Sequence, residues 1–179
     1  MLDCVRQFGG FSMIDRILKS LFAVILGAMA LLYVAHNIAN IGPAYDFFVY
    51  ATSHVDQDSY PVTLLPVPPS PLVIIAMVLV FALEISAAGF LLIGGWKLWH
   101  ARKGNIETFE KSKLFSKIGI GCAIANWWGL FQVIAVAGYQ LWQMPLGGGP
   151  DHGSWVYGAM NMAYLIYLNQ PEREFEPAN

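Results

Sequence analysis

Apolar residues fall into four long runs along the chain, which polar or proline-rich connections separate. A helix needs roughly 17–25 apolar residues to cross about 30 Å of hydrocarbon. The runs lie at 17–39, 72–96, 115–140 and 155–168, and the last is the shortest at 14 residues. It crosses only with its flanking residues or in a locally thinned bilayer, and a re-entrant or interfacial helix is the alternative. The pattern predicts an all-α membrane protein, a four-transmembrane-helix bundle.

The connection between the first two runs has two parts. Residues 43–53 are rich in aromatic side chains and begin with Pro43, which predicts a short outer interfacial helix. Residues 60–71 hold five of the ten prolines of the chain, which predicts a stiff, extended strap. We interpret the strap as a rigid connector, with a contact surface for a partner as the alternative.

Basic residues predict the orientation in the membrane. All ten lie before or at the start of the first run, between the second run and the start of the third, or after the fourth: Arg6, Arg16, Lys19, Lys97, Arg102, Lys103, Lys111, Lys113, Lys117 and Arg173. The other two connections carry only acidic charge: Asp46, Asp56, Asp58 and Asp151. Because basic loops stay in the cytoplasm, we expect a multi-pass protein of the cell inner (plasma) membrane with both termini cytoplasmic.

Composition supports this assignment. The chain is 56% hydrophobic and 12% charged, whereas soluble domains carry about 25% charged residues. Most of the surface therefore faces lipid, and the charge pattern indicates no nucleic-acid partner. We divide the chain into a flexible N-terminal extension (1–12), a four-helix transmembrane domain (13–170) and a cytoplasmic tail (171–179). The two cysteines are far apart: Cys4 precedes the first apolar run, and Cys122 lies inside the third. They therefore predict neither a disulfide nor a metal framework.

Glu84 is the most informative single residue, because it lies near the middle of the second run. An ionisable group at that depth is costly and is a functional-site hypothesis by default. The centres of the other runs hold no Lys, Arg or His to pair with it. Asn126, Gln132 and Asn161 lie at suitable depths to complete an intramembrane polar site. A neutral carboxyl that ties the second helix to these groups is the structural alternative.

A second candidate site lies on the outer face. It comprises six polar side chains near the outer helix ends: His36, Asn37, Asn40, His54, Asp56 and His152. Their spacing lacks a close ligand motif such as HxxxH, so we predict no metal site. Cofactors are not evident either. A bis-histidine haem would need histidines at matching depths, which His36 and His152 reach only at the outer rim, and a quinone has no supporting motif.

Several of these features together resemble a bacterial family of predicted small integral membrane proteins that is classed as a domain of unknown function. The resemblance runs from Met13 onward and includes residues 36–40 (HNIAN), the aromatic stretch 45–49, the central Glu84 and Trp142-Gln143. The chain departs from that pattern at Ala51, at 139–140, at 155–158 and in lacking an arginine in the fourth run. The resemblance implies the membrane fold and brings no activity.

Two functional hypotheses follow. The first is a non-catalytic accessory or assembly subunit of a larger membrane complex, of respiratory or redox type, with other membrane subunits as partners. It follows from the small size, the small-residue ridges such as Gly121–Ala125–Gly129, and the lack of a catalytic motif. The alternative is a small membrane enzyme or carrier that uses Glu84 for proton, ion or quinone chemistry.

Overall fold

The computed structural model describes the backbone of residues 2–172 and the side chains of residues 13–172. Within that part of the chain the secondary structure is helical, without strands. In chain order the helices are α1 (Leu2–Ala39), α2 (Ile41–Ala51), α3 (Ser70–Ala101), α4 (Ile106–Ser112), α5 (Leu114–Ile124), a π-helix (Ala125–Gly138), one 3₁₀ turn (Leu141–Gln143) and α6 (Gly148–Leu168). The all-α class is confirmed, as is the short helix after the first run.

Three segments are long and apolar enough to cross a membrane: Met13–Ala39, Ser70–Ala101 and Ile106–Gly138. The prediction of four such helices is therefore corrected to three among the described residues. The fourth, α6, has 21 residues, but it opens with Gly148, Pro150, Asp151 and His152 and carries Asn161 in its middle. These polar and helix-weakening residues lower its mean hydropathy below that of the other three.

Small residues bring α1, α3 and α5 into close contact. A Cβ atom added at Gly27 would lie 3.0 Å from Leu91 Cβ, and one added at Gly95 would lie 3.1 Å from the Ser20 carbonyl oxygen. The Ser20 hydroxyl donates to the Gly95 carbonyl at 2.7 Å. In lipid the hydrophobic effect does not drive helices together, so association depends on close packing and hydrogen bonds of this kind.

The small-residue ridge predicted on the third run does not make this contact. A Cβ at Gly121 would meet nothing within 4 Å, whereas one at Gly94 would lie 2.5 Å from the Ser116 backbone nitrogen. A Cβ added at Gly119 would lie 2.8 Å from the Leu91 backbone nitrogen. Gly121 therefore lies away from the contact between α3 and α5, which runs past Gly94 and Gly119 instead.

Helix α6 runs antiparallel to α1, and its tyrosines hold the two together. Tyr157 donates to the Leu26 carbonyl at 2.5 Å, and Tyr164 donates to the Lys19 carbonyl at 2.7 Å. The Tyr167 hydroxyl contacts the Asp15 carboxylate at the end of the pair. Buried hydroxyls normally need such partners, so the tyrosine spacing fixes the register of α6 against α1.

The third apolar run changes helix type in its middle. After α5 the backbone widens into a π-helix, which ends with Tyr139 N–H bonded to the Ile134 carbonyl, five residues back, at 2.9 Å. π-helical segments are rare and occur frequently at functional sites. Asn126 and Trp127 lie near its start and are both buried; Asn126 faces Glu84 of α3, and the Trp127 ring packs against Tyr157 of α6 with centroids 4.3 Å apart.

The helices place opposite charges at the two ends of the molecule. We call the end with Arg16, Lys19 and Lys113 the basic end. At the other end, the connection after α2 meets the connection after the π-helix: Gln57 Nε2 donates to the Tyr139 carbonyl at 2.6 Å. This is the acidic end, because the segments that meet there carry the four aspartates at 46, 56, 58 and 151 and no Lys or Arg.

The strap at the acidic end has no regular secondary structure over residues 60–69 and is largely exposed. Val62 is 80% exposed and Leu64 is 93% exposed, although the Tyr60 backbone N–H donates to Gln143 Oε1 at 2.9 Å. The proposed N-terminal extension and tail fall at the edges of the described chain. Side chains 1–12 and residues 173–179 lie outside the described residues, so both boundaries stay predictions.

Candidate functional site

Glu84 lies on the packed face of α3. The buried positions of this helix include Val80, Glu84, Ala87 and Leu91, which recur at the spacing of one helical face. Only 4% of Glu84 is exposed. The same periodicity that buries the apolar core of α3 therefore buries the carboxyl, without any irregularity of the helix.

Neutral amides surround the Glu84 carboxyl. Asn37 Nδ2, from the end of α1, donates to Glu84 Oε2 at 3.1 Å. The side chain of Asn126, from the π-helix, also faces the carboxyl. Asn126 is fully buried, yet neither of its polar atoms reaches hydrogen-bonding geometry with a described residue. Within residues 13–172, no ion pair involves Glu84.

A cavity of about 540 Å³ lies above this carboxyl, between α1, α2, α3, the π-helix and the start of α6. Glu84 lies at its inner end, and four residues at the start of α6 border it at the acidic end of the molecule: Gly149, Pro150, Gly153 and Ser154. Five aromatic side chains form much of its wall: Tyr33, Phe47, Phe48, Trp127 and Phe131. The site is thus a mostly apolar pocket with one ionisable group at depth, which is the usual form of a small-molecule site.

The other predicted intramembrane residues take different roles. Asn161 is fully buried and donates to the Tyr157 carbonyl one turn earlier in α6 at 2.9 Å. Gln132 Nε2 donates to the Asp151 carboxylate at 2.9 Å and to the Ser154 hydroxyl at 2.7 Å. Gln132 therefore joins the π-helix to α6 near the acidic end, away from the Glu84 carboxyl.

The predicted outer-face residues do not converge on one site. His36, Asn37 and Asn40 line the cavity, so these three belong to the Glu84 site. His54 contacts the Thr63 hydroxyl at 3.1 Å, and Asp56 contacts the Tyr50 hydroxyl at 3.5 Å.

His152 is exposed on the first turns of α6. Among the described residues, no group of three or more His, Cys, Asp or Glu side chains could hold a metal ion.

A second buried charge cluster lies at the basic end, and the sequence did not predict it. Lys19 and Lys113 both contact Glu172 Oε1, at 2.6 and 2.7 Å, and Arg16 Nε lies 3.3 Å from Glu172 Oε2. The four side chains are at most 1% exposed. Lys19 also pairs with Asp15 at 2.9 Å.

The environment of Glu172 favours its ionised form. Burial by itself raises the pKa of this carboxyl, but the hydrogen bonds and charges of Lys113 and Lys19 outweigh burial, so the net pKa lies below its ordinary value. Arg16 additionally donates to the Gly104 carbonyl at 2.7 Å. The cluster therefore joins α1, the α3–α4 connection, the start of α5 and the chain after α6.

The sequence signal for this cluster was weak. The Asp15–Lys19 spacing of four residues predicts one local pair, and the basic residues served only to assign orientation. Nothing in the local pattern marks Glu172, which follows Pro171 outside any regular element. Its burial depends on where α6 ends relative to α1 and α5.

The chain belongs to the family whose model is described as "Predicted small integral membrane protein (DUF2165)", which matches residues 15–171. The resemblance seen in the sequence is thereby confirmed, together with the assignment as an integral membrane protein. Comparison with curated proteins finds no match, and comparison with solved structures finds none.

Proposed function

We propose that this chain is a four-span inner-membrane protein that uses Glu84 as the binding group of a cavity open at the acidic end. The observation that carries the proposal is the Glu84 carboxyl itself: it is 4% exposed, it lacks a cationic partner among the described residues, and it lines a cavity of about 540 Å³. A buried carboxyl that only packs needs no cavity above it. The proposal takes up the hypothesis of a carrier or small enzyme.

The contacts of α6 support its role as the fourth span. Helix α6 follows α1 from Leu26 back to Asp15, and Glu172 then pairs with Lys19 and Lys113. The part of α1 near Arg16, the α3–α4 connection and the start of α5 therefore lie at one end, together with the chain after α6. Because basic segments stay in the cytoplasm, this arrangement supports a cytoplasmic position for both termini.

The topology is tested by cysteine accessibility in a background without Cys4 and Cys122. We expect Ser59→Cys and Gly148→Cys to react with an impermeant maleimide from outside the cell, and Asn179→Cys to react only after permeabilisation. An Asn179→Cys variant that reacts from outside contradicts the fourth span.

Reaction with dicyclohexylcarbodiimide tests the role of Glu84. This apolar reagent modifies carboxyls that lie in apolar, accessible surroundings, and peptide mass spectrometry locates the product. We expect modification at Glu84 in the full chain and none at that site in Glu84→Gln. The exposed Glu107, which is 74% exposed, is the internal comparison.

If Glu84 does not react, and Glu84→Leu lowers protein levels while Glu84→Gln does not, the carboxyl is structural and the proposal is wrong.

A second candidate function, the accessory subunit, is favoured by the exposed strap. Val62 and Leu64 present apolar side chains at the acidic end without covering contacts, at 80% and 93% exposure. Purification in mild detergent tests it. We expect a co-purifying membrane subunit that the double change Val62→Ser, Leu64→Ser removes, while the chain itself stays folded. A monodisperse protein without a partner contradicts this function.

A further inference from the structure

The cavity above Glu84 is walled by aromatic rings. Trp127 packs against Tyr33, with their ring centroids 6.0 Å apart, and both line the cavity together with Phe47 and Phe131. The faces of aromatic rings carry partial negative charge and attract cations within about 6 Å of the ring centroid, most strongly where water is excluded. The wall therefore favours a positively charged guest that is itself largely apolar.

The charge balance of the site points the same way. The amides of Asn37 and Asn126, which are neutral, face the Glu84 carboxyl. Two other titratable side chains lie near it, Tyr157 and the cavity-lining His36, and neither forms a described ion pair with it. A buried carboxylate without a counter-charge is costly, and a bound cation offsets part of that cost. Ligand charge and site charge then neutralise each other in an environment where the attraction is weakly screened.

The approach to the cavity is acidic. The connections at this end carry four aspartates and no Lys or Arg, and Asp151 lies on the first turn of α6, next to cavity residues Pro150 and Gly153. A field of one sign at the mouth of a pocket raises the local concentration of ligands of the opposite charge.

We propose that this cavity binds an organic cation, an ammonium group with apolar substituents, with the charge against Glu84 and the substituents against the aromatic wall. The inference rests on the proposed function and adds the class of ligand to it. A bare metal ion prefers several oxygen ligands, with carboxylates among them, whereas Glu84 is the only carboxyl among the described residues that line the cavity.

Calorimetric titration of the full chain in lipid nanodiscs tests the ligand class. The probes are tetramethylammonium, choline, benzyltrimethylammonium, and 3,3-dimethyl-1-butanol, which is the uncharged carbon analogue of choline. We expect at least one cation to bind, and choline to bind roughly tenfold or more tightly than its uncharged analogue. Glu84→Gln, which keeps the side-chain shape, should abolish this preference.

Phe131→Leu removes one ring of the wall and should weaken cation binding about threefold to tenfold. The matched control is Phe115→Leu, because Phe115 is not among the cavity residues and packs against Phe90 with ring centroids 5.9 Å apart; cation binding should not change.

Equal affinity for choline and its uncharged analogue, or cation binding that survives Glu84→Gln, overturns the inference. So does failure of all three cations to bind. If Glu84 still reacts with carbodiimide in that case, the proposed function stands and only the ligand class is wrong; if it does not react, both are wrong.

Discussion

The two ends of the molecule treat a buried carboxyl in opposite ways. Glu172, at the basic end, lies among Lys19, Lys113 and Arg16, all within 3.3 Å or less. Glu84 lies below the cavity that opens at the acidic end, and its one hydrogen bond of ordinary geometry comes from the neutral Asn37. A carboxylate surrounded by cations holds elements together, whereas one left with amides is available to a proton or a ligand.

Packing differs between the two ends in the same sense. At the basic end Gly94, Gly95 and Gly119 let the helices touch. Towards the acidic end α2 and the π-helix enclose a cavity of about 540 Å³. Tight packing with paired charge marks the structural part, and open packing with unpaired charge marks the candidate site. Four experiments test this difference between the two ends.

The largest effect is expected from Glu172→Gln. Removing one partner of a buried ion cluster leaves Lys19 and Lys113 buried with an excess of positive charge, which costs about 3–5 kcal/mol of unfolding free energy. Denaturant titration in detergent micelles measures it. The control is Glu107→Gln, because Glu107 and its partner Lys111 are about three-quarters exposed and such pairs contribute about 0–1 kcal/mol. An equal loss of unfolding free energy in the two variants would contradict the structural role of Glu172.

The next effect concerns the close packing at the basic end. Gly94→Ala places a Cβ 2.5 Å from the Ser116 backbone nitrogen, so the helices must separate, at a cost of about 1–3 kcal/mol. Gly121→Ala meets nothing within 4 Å and should be neutral or stabilising by up to about 1 kcal/mol. The same denaturation assay compares the two, and a neutral Gly94→Ala would contradict the contact.

A smaller effect is expected from pH. The pKa of Glu172 is lower in the folded chain than its ordinary value of 4.5, because Lys113 and Lys19 favour the carboxylate. The unfolded chain therefore takes up this proton first, and the stabilisation is complete above pH 4.5 and is lost as pH falls through the lower, folded pKa. Glu172→Gln should lose that part of the acid sensitivity. An unchanged pH profile of its unfolding would show that other groups control it.

The smallest effect on stability is expected from Glu84→Gln. The new side-chain oxygen can still accept from Asn37, so the free energy of unfolding should change by less than about 1 kcal/mol. Ligand binding, in contrast, should be lost. A destabilisation as large as that of Glu172→Gln would mean that Glu84 also serves as a structural carboxyl, and the contrast between the ends would fail.

Much of the candidate site could be predicted from the sequence. The position of Glu84 in an apolar run marked it directly, and Asn126 had the right depth. Asn37 was assigned to the outer face from its position at the end of α1, but its side chain donates to Glu84 of α3. Gln132 had a suitable depth, but its partners are Asp151 and Ser154. The depth of a residue in the membrane follows from its position along one helix, whereas its contacts depend on which helices pack against that face.

The sequence by itself determined the helical membrane architecture, three of its apolar spans and the separation of basic from acidic connections. These depend on hydropathy, run length and the placement of charge, which are local quantities. Only the tertiary structure decided that α6 packs along α1 and that Glu172 is buried among cations. It also decided that a π-helix turns Asn126 towards Glu84. Those features arise from helix register and from which faces meet, and residues distant in sequence fix both.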